Sequence, residues 1–227
     1  MHGIVKKDAD MLLPVRRETF GDQIVSNLKR AILSGEIEGG SQITETQLAS
    51  RFGVSRGPLR EAMAQLATEG LIHSVPFTGT RVIKLSVMDV REIYSLRTAL
   101  ETLAFQEIWD KRDHAFAEEL ESRHSRLMDT LKIDDHVASS EAEVGLHSLV
   151  YERCGHKLLL ESWQRVAGRL QLYLALHQRA HGRTGPIEDA HENYLTLAMC
   201  DDFELMRKEI ESHMRRGVNQ LENYVAL

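Results

Sequence analysis

The sequence predicts a mostly α-helical chain in two parts. A small helical head closes with a β-hairpin, and an antiparallel all-α body follows. Three observations carry this reading. Apolar residues recur at three- and four-residue spacing through most of the 227 residues. Strand-like runs are confined to residues 71–75 and 81–85, flanking a Pro76 to Thr80 turn that contains Gly79. Beyond residue 85 the pattern is almost entirely helical, with Pro186 the one proline. A chain of this length can bury two modest cores. The expected division is a loose arm over 1–15, a head over 16–85 and a helical body over 86–227.

The head is read element by element. Thr44 precedes a short helix with apolar Leu48, Ala49 and Phe52. Thr44 is suited to cap its first N–H groups, with Gln47 as the capping-box partner. Gly53 stands where a left-handed C-terminal residue belongs. Ser55 is expected to cap a second helix, in whose first turn Pro58 is tolerated because that N–H needs no partner. Leu59, Met63 and Leu66 share the inward face, and Gly70 ends the helix. Two helices, a tight turn and a hairpin make a winged helix-turn-helix, an architecture suited to double-stranded DNA. Arg56 and Arg60 lie near the N-terminus of the second helix. There a guanidinium can pair with guanine O6 and N7, and Gly57 permits close backbone approach.

The ordered run from Glu45 through Leu48-Ala49, Gly53-Val54-Ser55-Arg56-Gly57-Pro58-Leu59-Arg60-Glu61-Ala62, Leu66 and Glu69-Gly70-Leu71 resembles the winged helix-turn-helix of the GntR family of bacterial transcription regulators. Ile24, Leu28 and Ala31 to Ile37 fit that family's first helix. The resemblance implies base contacts from Arg56 and Arg60, phosphate contacts from Thr46 and Ser55, and minor-groove entry by Gly79. Two departures stand out. Gly39-Gly40 replaces Pro-Gly, and Thr78 replaces a basic residue before the wing glycine, so specificity is expected to rest on the recognition helix.

Charge follows the same division. Through Leu85 there are 11 Lys and Arg against 9 Asp and Glu; the remainder holds 17 against 25. An acidic body is repelled by DNA, which leaves contact to the head. Two cysteines, Cys154 and Cys200, make no disulfide framework. No signal core and no apolar run of membrane-spanning length is evident. The expected compartment is the cytoplasm, with no membrane partner.

In the body, Ser86 and Asp89 form a capping pair ahead of a long helix marked by Val90, Ile93, Tyr94, Leu100 and Ile108. Helices follow through Phe116 to Leu131, through 135–154 with a stop at Gly155, and through Leu158 to Leu176. After Gly182 and Gly185-Pro186, a fifth is expected from Ile187 to Ala198. A sixth holds Phe203, Met206, Ile210, Met214, Val218, Leu221 and Tyr224. Such bundles form ligand sites between facing helices.

Nine of the 11 histidines lie in this body. Glu143 and His147, four apart, share one helix face. With His191, in the fifth helix, and His213, in the last, they offer one carboxylate and three imidazoles, a set suited to Zn²⁺ or Ni²⁺. A Glu and a His one turn apart also make ordinary surface contacts. The six remaining body histidines, among them His124, His156 and His177, are read as surface or core-edge residues. The body resembles the FCD ligand-binding domain of the FadR branch of GntR regulators. Arg97-Thr98-Ala99-Leu100-Glu101 matches its opening helix, Glu143 to His147 its Asp-x-x-x-His motif, and Ala190-His191 and Ser212-His213 its later histidines. The resemblance makes Glu143, His147, His191 and His213 metal ligands. Glu143 departs from the usual Asp, and His156 from the usual Asn after Gly155.

The implied function is a ligand-responsive regulator, a repressor that binds a palindromic operator as a homodimer. A metal-assisted pocket would hold a small carboxylate. Arg97 would assist, or pair with Glu101 at the surface, and the linker near Ser86 would carry the signal. Three other readings stay open: a regulator sensing the ion itself, a metal-dependent hydrolase, and a vestigial pocket.

Overall fold

The computed structural model describes residues 20–75, 79–182, 184–186 and 189–222. The expected arm over 1–15, Thr78 at the wing, Ile187 and Tyr224 lie outside the described residues, as does the Leu221 side chain. The head comprises α1 (Phe20–Leu33), β1 (Gln42–Ile43), α2 (Glu45–Phe52), α3 (Arg56–Thr68), β2 (Ile72–Val75) and β3 (Gly79–Val82). The body comprises α4 (Val87–Ile108), a 3₁₀ turn (Trp109–Lys111), α5 (His114–Thr130), α6 (His136–Arg153), α7 (Lys157–His181), α8 (Glu192–Ala198) and α9 (Phe203–Glu222).

Local chemistry explains most boundaries. Thr44 Oγ1 accepts from the Gln47 backbone N–H at 3.2 Å, and Gly53 ends α2 at φ 65°. Ser86 and Asp89 close a reciprocal capping box at the start of α4. Ser55 corrects one expectation: it stands at the N-cap position of α3, but its side chain makes no cap hydrogen bond. A second correction concerns α8. The turn through Asp189 and Ala190 delays the helix, so His191 precedes α8 as its N-cap residue rather than lying inside it. The hairpin strands also shift toward the turn, and β1 is added by long-range pairing, giving an antiparallel sheet of order β1-β3-β2.

Two hydrophobic cores organise the chain. In the body, α4 packs with α6, α7 and α9, and α6 lies between α5 and α7. The head core centres on Leu28, Leu59, Leu66 and Leu71, each 0% exposed. Full burial of such a side chain contributes about 1.5–3 kcal/mol. This second core reaches into the body, for it includes Val137 of α6 and Leu172 and Ala175 of α7. The head is thus seated on its own body. Arg30 pairs with Asp135 at 2.8 Å, and Arg179 donates to the Ser34 carbonyl. Gly168 lies so close to the end of α3 that a Cβ there would overlap the Glu69 carbonyl oxygen.

Candidate functional site

The head presents one set of candidate residues. Arg56 is exposed at the first position of α3, and Gly57 beside it has open space where a Cβ would project. Arg60, one turn on, is 69% exposed and spans both Glu45 oxygens at 3.2 Å each. That hydrogen bond, with the Arg60 charge, lowers the Glu45 carboxyl below its ordinary value. Thr46 and Ser55 are exposed, and the Ser55 hydroxyl is not engaged as a cap. Gly79 opens β3 with φ 95°. The Arg60 guanidinium therefore has a local carboxylate partner for its Nε and Nη2 groups.

The second set is buried except for His213, which is partly exposed. Glu143 and His147 rise from one face of α6, His191 enters from the N-cap of α8, and His213 comes from α9. One donor atom from each lies within 4.8 Å of all the others. His147 and His191 are fully buried and Glu143 is 7% exposed. Glu143 Oε1 is 3.0 Å from His191 Nε2. It lies 3.6 Å from His147 Nε2, too far for a hydrogen bond. Glu143 Oε2, His147 Nε2 and His191 Nδ1 are all buried with no hydrogen-bond partner among the described residues. Such orphaned donors and acceptors are costly unless something else satisfies them. Burial alone would raise the Glu143 carboxyl, but the charges and hydrogen bond supplied by its histidine neighbours hold it well below its ordinary value. Burial, with the charges of His147 and His191, pushes His213 well down. An anionic carboxylate and a neutral imidazole are the forms that ligate a cation. One carboxylate and three imidazoles at mutual ligand distance, with orphaned buried donor atoms, make a donor set that fits a divalent ion.

Glu143, His191 and His213 line a cavity of about 330 Å³ together with Arg97, Tyr94 and Gln178. That is within the ordinary size of a small-molecule site. His147 lies deeper and does not line it. Arg97 pairs with Glu101 at 3.1 Å, as its spacing suggested, but the pair is buried rather than at the surface, with side chains 2% and 0% exposed. The Arg97 Nη2 group is buried with no hydrogen-bond partner.

Several participants were invisible in the sequence. His177, read as a surface or core-edge residue, is 6% exposed and lines the cavity. Tyr151 and Tyr194 join Arg97 and His147 around Glu101. Only the Arg97–Glu101 spacing pointed there. His156 proves local: its Nδ1 accepts from the Leu159 backbone N–H at 3.2 Å and caps α7, work an Asn would also do.

Comparison with known proteins identifies both parts. The family description "Bacterial regulatory proteins, gntR family" matches residues 20–82, and the FCD domain matches residues 92–216. A gluconate operon transcriptional repressor of Bacillus licheniformis is 29% identical over 206 residues, covering 87% of this chain and 83% of its own. Its counterpart in Bacillus subtilis (strain 168) is 26% identical over 212 residues, covering 90% and 87%. The E. coli McbR/YncC structure superposes with TM-score 0.70 at 19% identity, covering 91% of this chain and 99% of that one, which is a likeness of fold. The family and these relatives are transcription regulators, not enzymes, which removes the hydrolase reading. No helix among the described residues is long and apolar enough to cross a membrane. The chain belongs to the gntR family of bacterial regulatory proteins, as a DNA-binding transcription regulator with an FCD effector domain.

Proposed function

We propose that the chain is a metabolite-responsive repressor that holds a divalent ion, Zn²⁺ or Ni²⁺, through Glu143, His147, His191 and His213. The observation that carries this is the convergence of the four donors, three of them orphaned and buried, at a partly open cavity that Arg97 also lines. When bound, the ion supplies a Lewis-acidic partner for an anionic effector. Arg97, already charged and desolvated, offers N–H groups to the same anion. A small carboxylate satisfies both. Gluconate is the first candidate to test, because two relatives carry the name of gluconate operon repressors. Burial of the donor set favours a resident ion over an ion that comes and goes as the signal.

The repressor reads a palindromic operator as a homodimer. Met88, Leu96 and Leu103 are large, exposed apolar residues on one stripe of α4, and a second copy is their proposed cover. The signal travels through the seating of the head. On α7, Tyr173 and Gln178 line the cavity, while Gly168, Leu172 and Ala175 meet the head. The segment at Ser86 connects the same two parts, so α7 adds a packed route to the covalent one. A ligand biases such an arrangement only through unequal affinity for its states.

The test is an operator titration by fluorescence anisotropy. Gluconate and other small carboxylates are added to the full-length protein, with and without a chelator. The expected result is weaker operator binding with one carboxylate and no response after chelation. Operator release on chelation alone, with no carboxylate effect, would instead make the ion the signal.

A further inference from the structure

Glu101 is the most heavily engaged buried carboxylate outside the ligand set. It sits on α4 with 0% exposure. Its Oε1 accepts from Tyr194 O–H at 2.7 Å and lies 3.0 Å from His147 Nδ1. Its Oε2 accepts from Arg97 Nε at 3.1 Å and from Tyr151 O–H at 3.4 Å. Side chains from α4, α6 and α8 therefore meet on one carboxylate. The opposite nitrogen of His147, Nε2, faces Glu143 and has no hydrogen-bond partner.

Stability alone is a poor account of this node. A buried ion pair is often matched or bettered by apolar residues of similar volume. The division of Glu101's two oxygens points elsewhere. An acceptor at Nδ1 keeps the proton on that nitrogen and leaves the Nε2 lone pair for a ligand role. A carboxylate behind a metal-bound imidazole also raises its basicity and fixes the ring. The other oxygen engages Arg97 through Nε, which leaves the Nη2 N–H groups without a partner.

We propose that Glu101 is a positioning residue that serves both halves of the cavity: through Oε1 it orients His147 toward the ion, and through Oε2 it holds Arg97 with N–H groups left for the effector anion. The inference rests on the metal-bound reading above. It makes the ion and the anion anchor share one support, so a change at Glu101 disturbs both although Glu101 touches neither ligand.

The experiment uses full-length protein stripped of metal, with Zn²⁺ alone as the probe. Zn²⁺ affinity is measured by competition with a chromogenic chelator for wild type, Glu101→Gln and Glu101→Asp. Loss of the second carboxylate is expected to weaken Zn²⁺ by about 10–100-fold in Glu101→Gln. Glu101→Asp keeps the charge but withdraws it by one methylene, and should fall between Glu101→Gln and wild type. Histidine ¹⁵N spectra of the metal-free proteins at pH 8 give a signature that a merely structural role would not move. His147 should hold its proton on Nδ1 in wild type and become a mixture of tautomers in Glu101→Gln. If Glu101→Gln does not fold, the affinity and spectrum of Glu101→Asp decide. Variants that bind Zn²⁺ as tightly as wild type, with an unchanged His147 signal, would overturn this inference and leave the metal site standing. Wild type without stoichiometric metal would overturn both.

Discussion

The two ends of this molecule carry charge in opposite surroundings. In the head, Arg56 and Arg60 stand in solvent, and Arg60 rests on a partly exposed Glu45. In the body, Arg97, Glu101, Glu143 and two histidines are almost wholly buried and held by one another. An exposed ion pair contributes little and exchanges easily. On the proposed reading, such a pair can give way to phosphate or a base edge at little cost. A buried charge has no water to fall back on, so its partners must be placed in advance. The contrast implies graded losses for changes in the head and an abrupt loss for changes at the buried ligands.

The sharpest way to break the contrast is at the ligands. His191→Ala with His213→Ala should reduce bound metal from about one ion per chain to none, since structural sites need close to four donors. Elemental analysis of the purified protein measures it, and unchanged metal content would sink the ligand assignment.

Acidification probes the same buried groups in metal-free protein. His213 is pushed down in the fold, so below the ordinary imidazole value of about 6.5 the unfolded chain binds a proton that the folded chain refuses. Glu101 and Glu143 are also held low: burial opposes this, but their cationic neighbours outweigh it. Stability from these carboxylates is present above their ordinary range and is lost as pH falls through their folded values. Both effects have one sign. Chemical denaturation at stepped pH should show stability declining from about pH 6.5 downward, with a further decline below about 4.5. A flat profile would mean that the cluster is solvated.

The seam between the two parts comes next. Gly168→Ala puts a methyl group where the Glu69 carbonyl lies, and should cost about 1–3 kcal/mol as the head is displaced from α7. Thermal unfolding reads the loss, and operator affinity should become less sensitive to effector. A stable, fully responsive Gly168→Ala would remove α7 as a route between cavity and head.

In the head, Arg56→Ala or Arg60→Ala should each weaken operator binding by about 1–3 kcal/mol and relax base preference. Binding to a panel of mutated operators is the measurement, and uniform weakening would reassign that arginine to phosphate. The smallest effect is expected at the wing: Thr78→Ala should change operator affinity by less than about 0.5 kcal/mol. A large loss there would move base reading from α3 into the wing.

Local signals were read well where a boundary depends on residues a few positions away. The Thr44 cap, the left-handed Gly53 and the Ser86–Asp89 box all act within one turn, and all are present. The four-residue step from Glu143 to His147 places both on one face of α6 for the same reason. His191 was harder. The turn after Gly185-Pro186 delays α8, and the apolar spacing gave no sign of that delay. β1 also escaped, because a two-residue strand is created by its partner, and the register of Gln42 with Arg81 joins residues far apart in the head.

The sequence by itself determined the helical class and the helix-turn-helix, because caps and periodicity are local physics, whereas the candidate roles of Arg56, Arg60 and the four candidate ligands leaned on a family resemblance. Tertiary structure alone decided that Arg97 and Glu101 are buried together and that Tyr151, Tyr194 and His147 converge on the same carboxylate. It also decided that α7 separates a cavity from a docked head. Those features depend on packing between residues tens of positions apart. Burial then changes what the same side chain does: an arginine one turn from a glutamate is a solvated pair on a surface, and inside a bundle a desolvated pair with a guanidinium nitrogen left unpartnered.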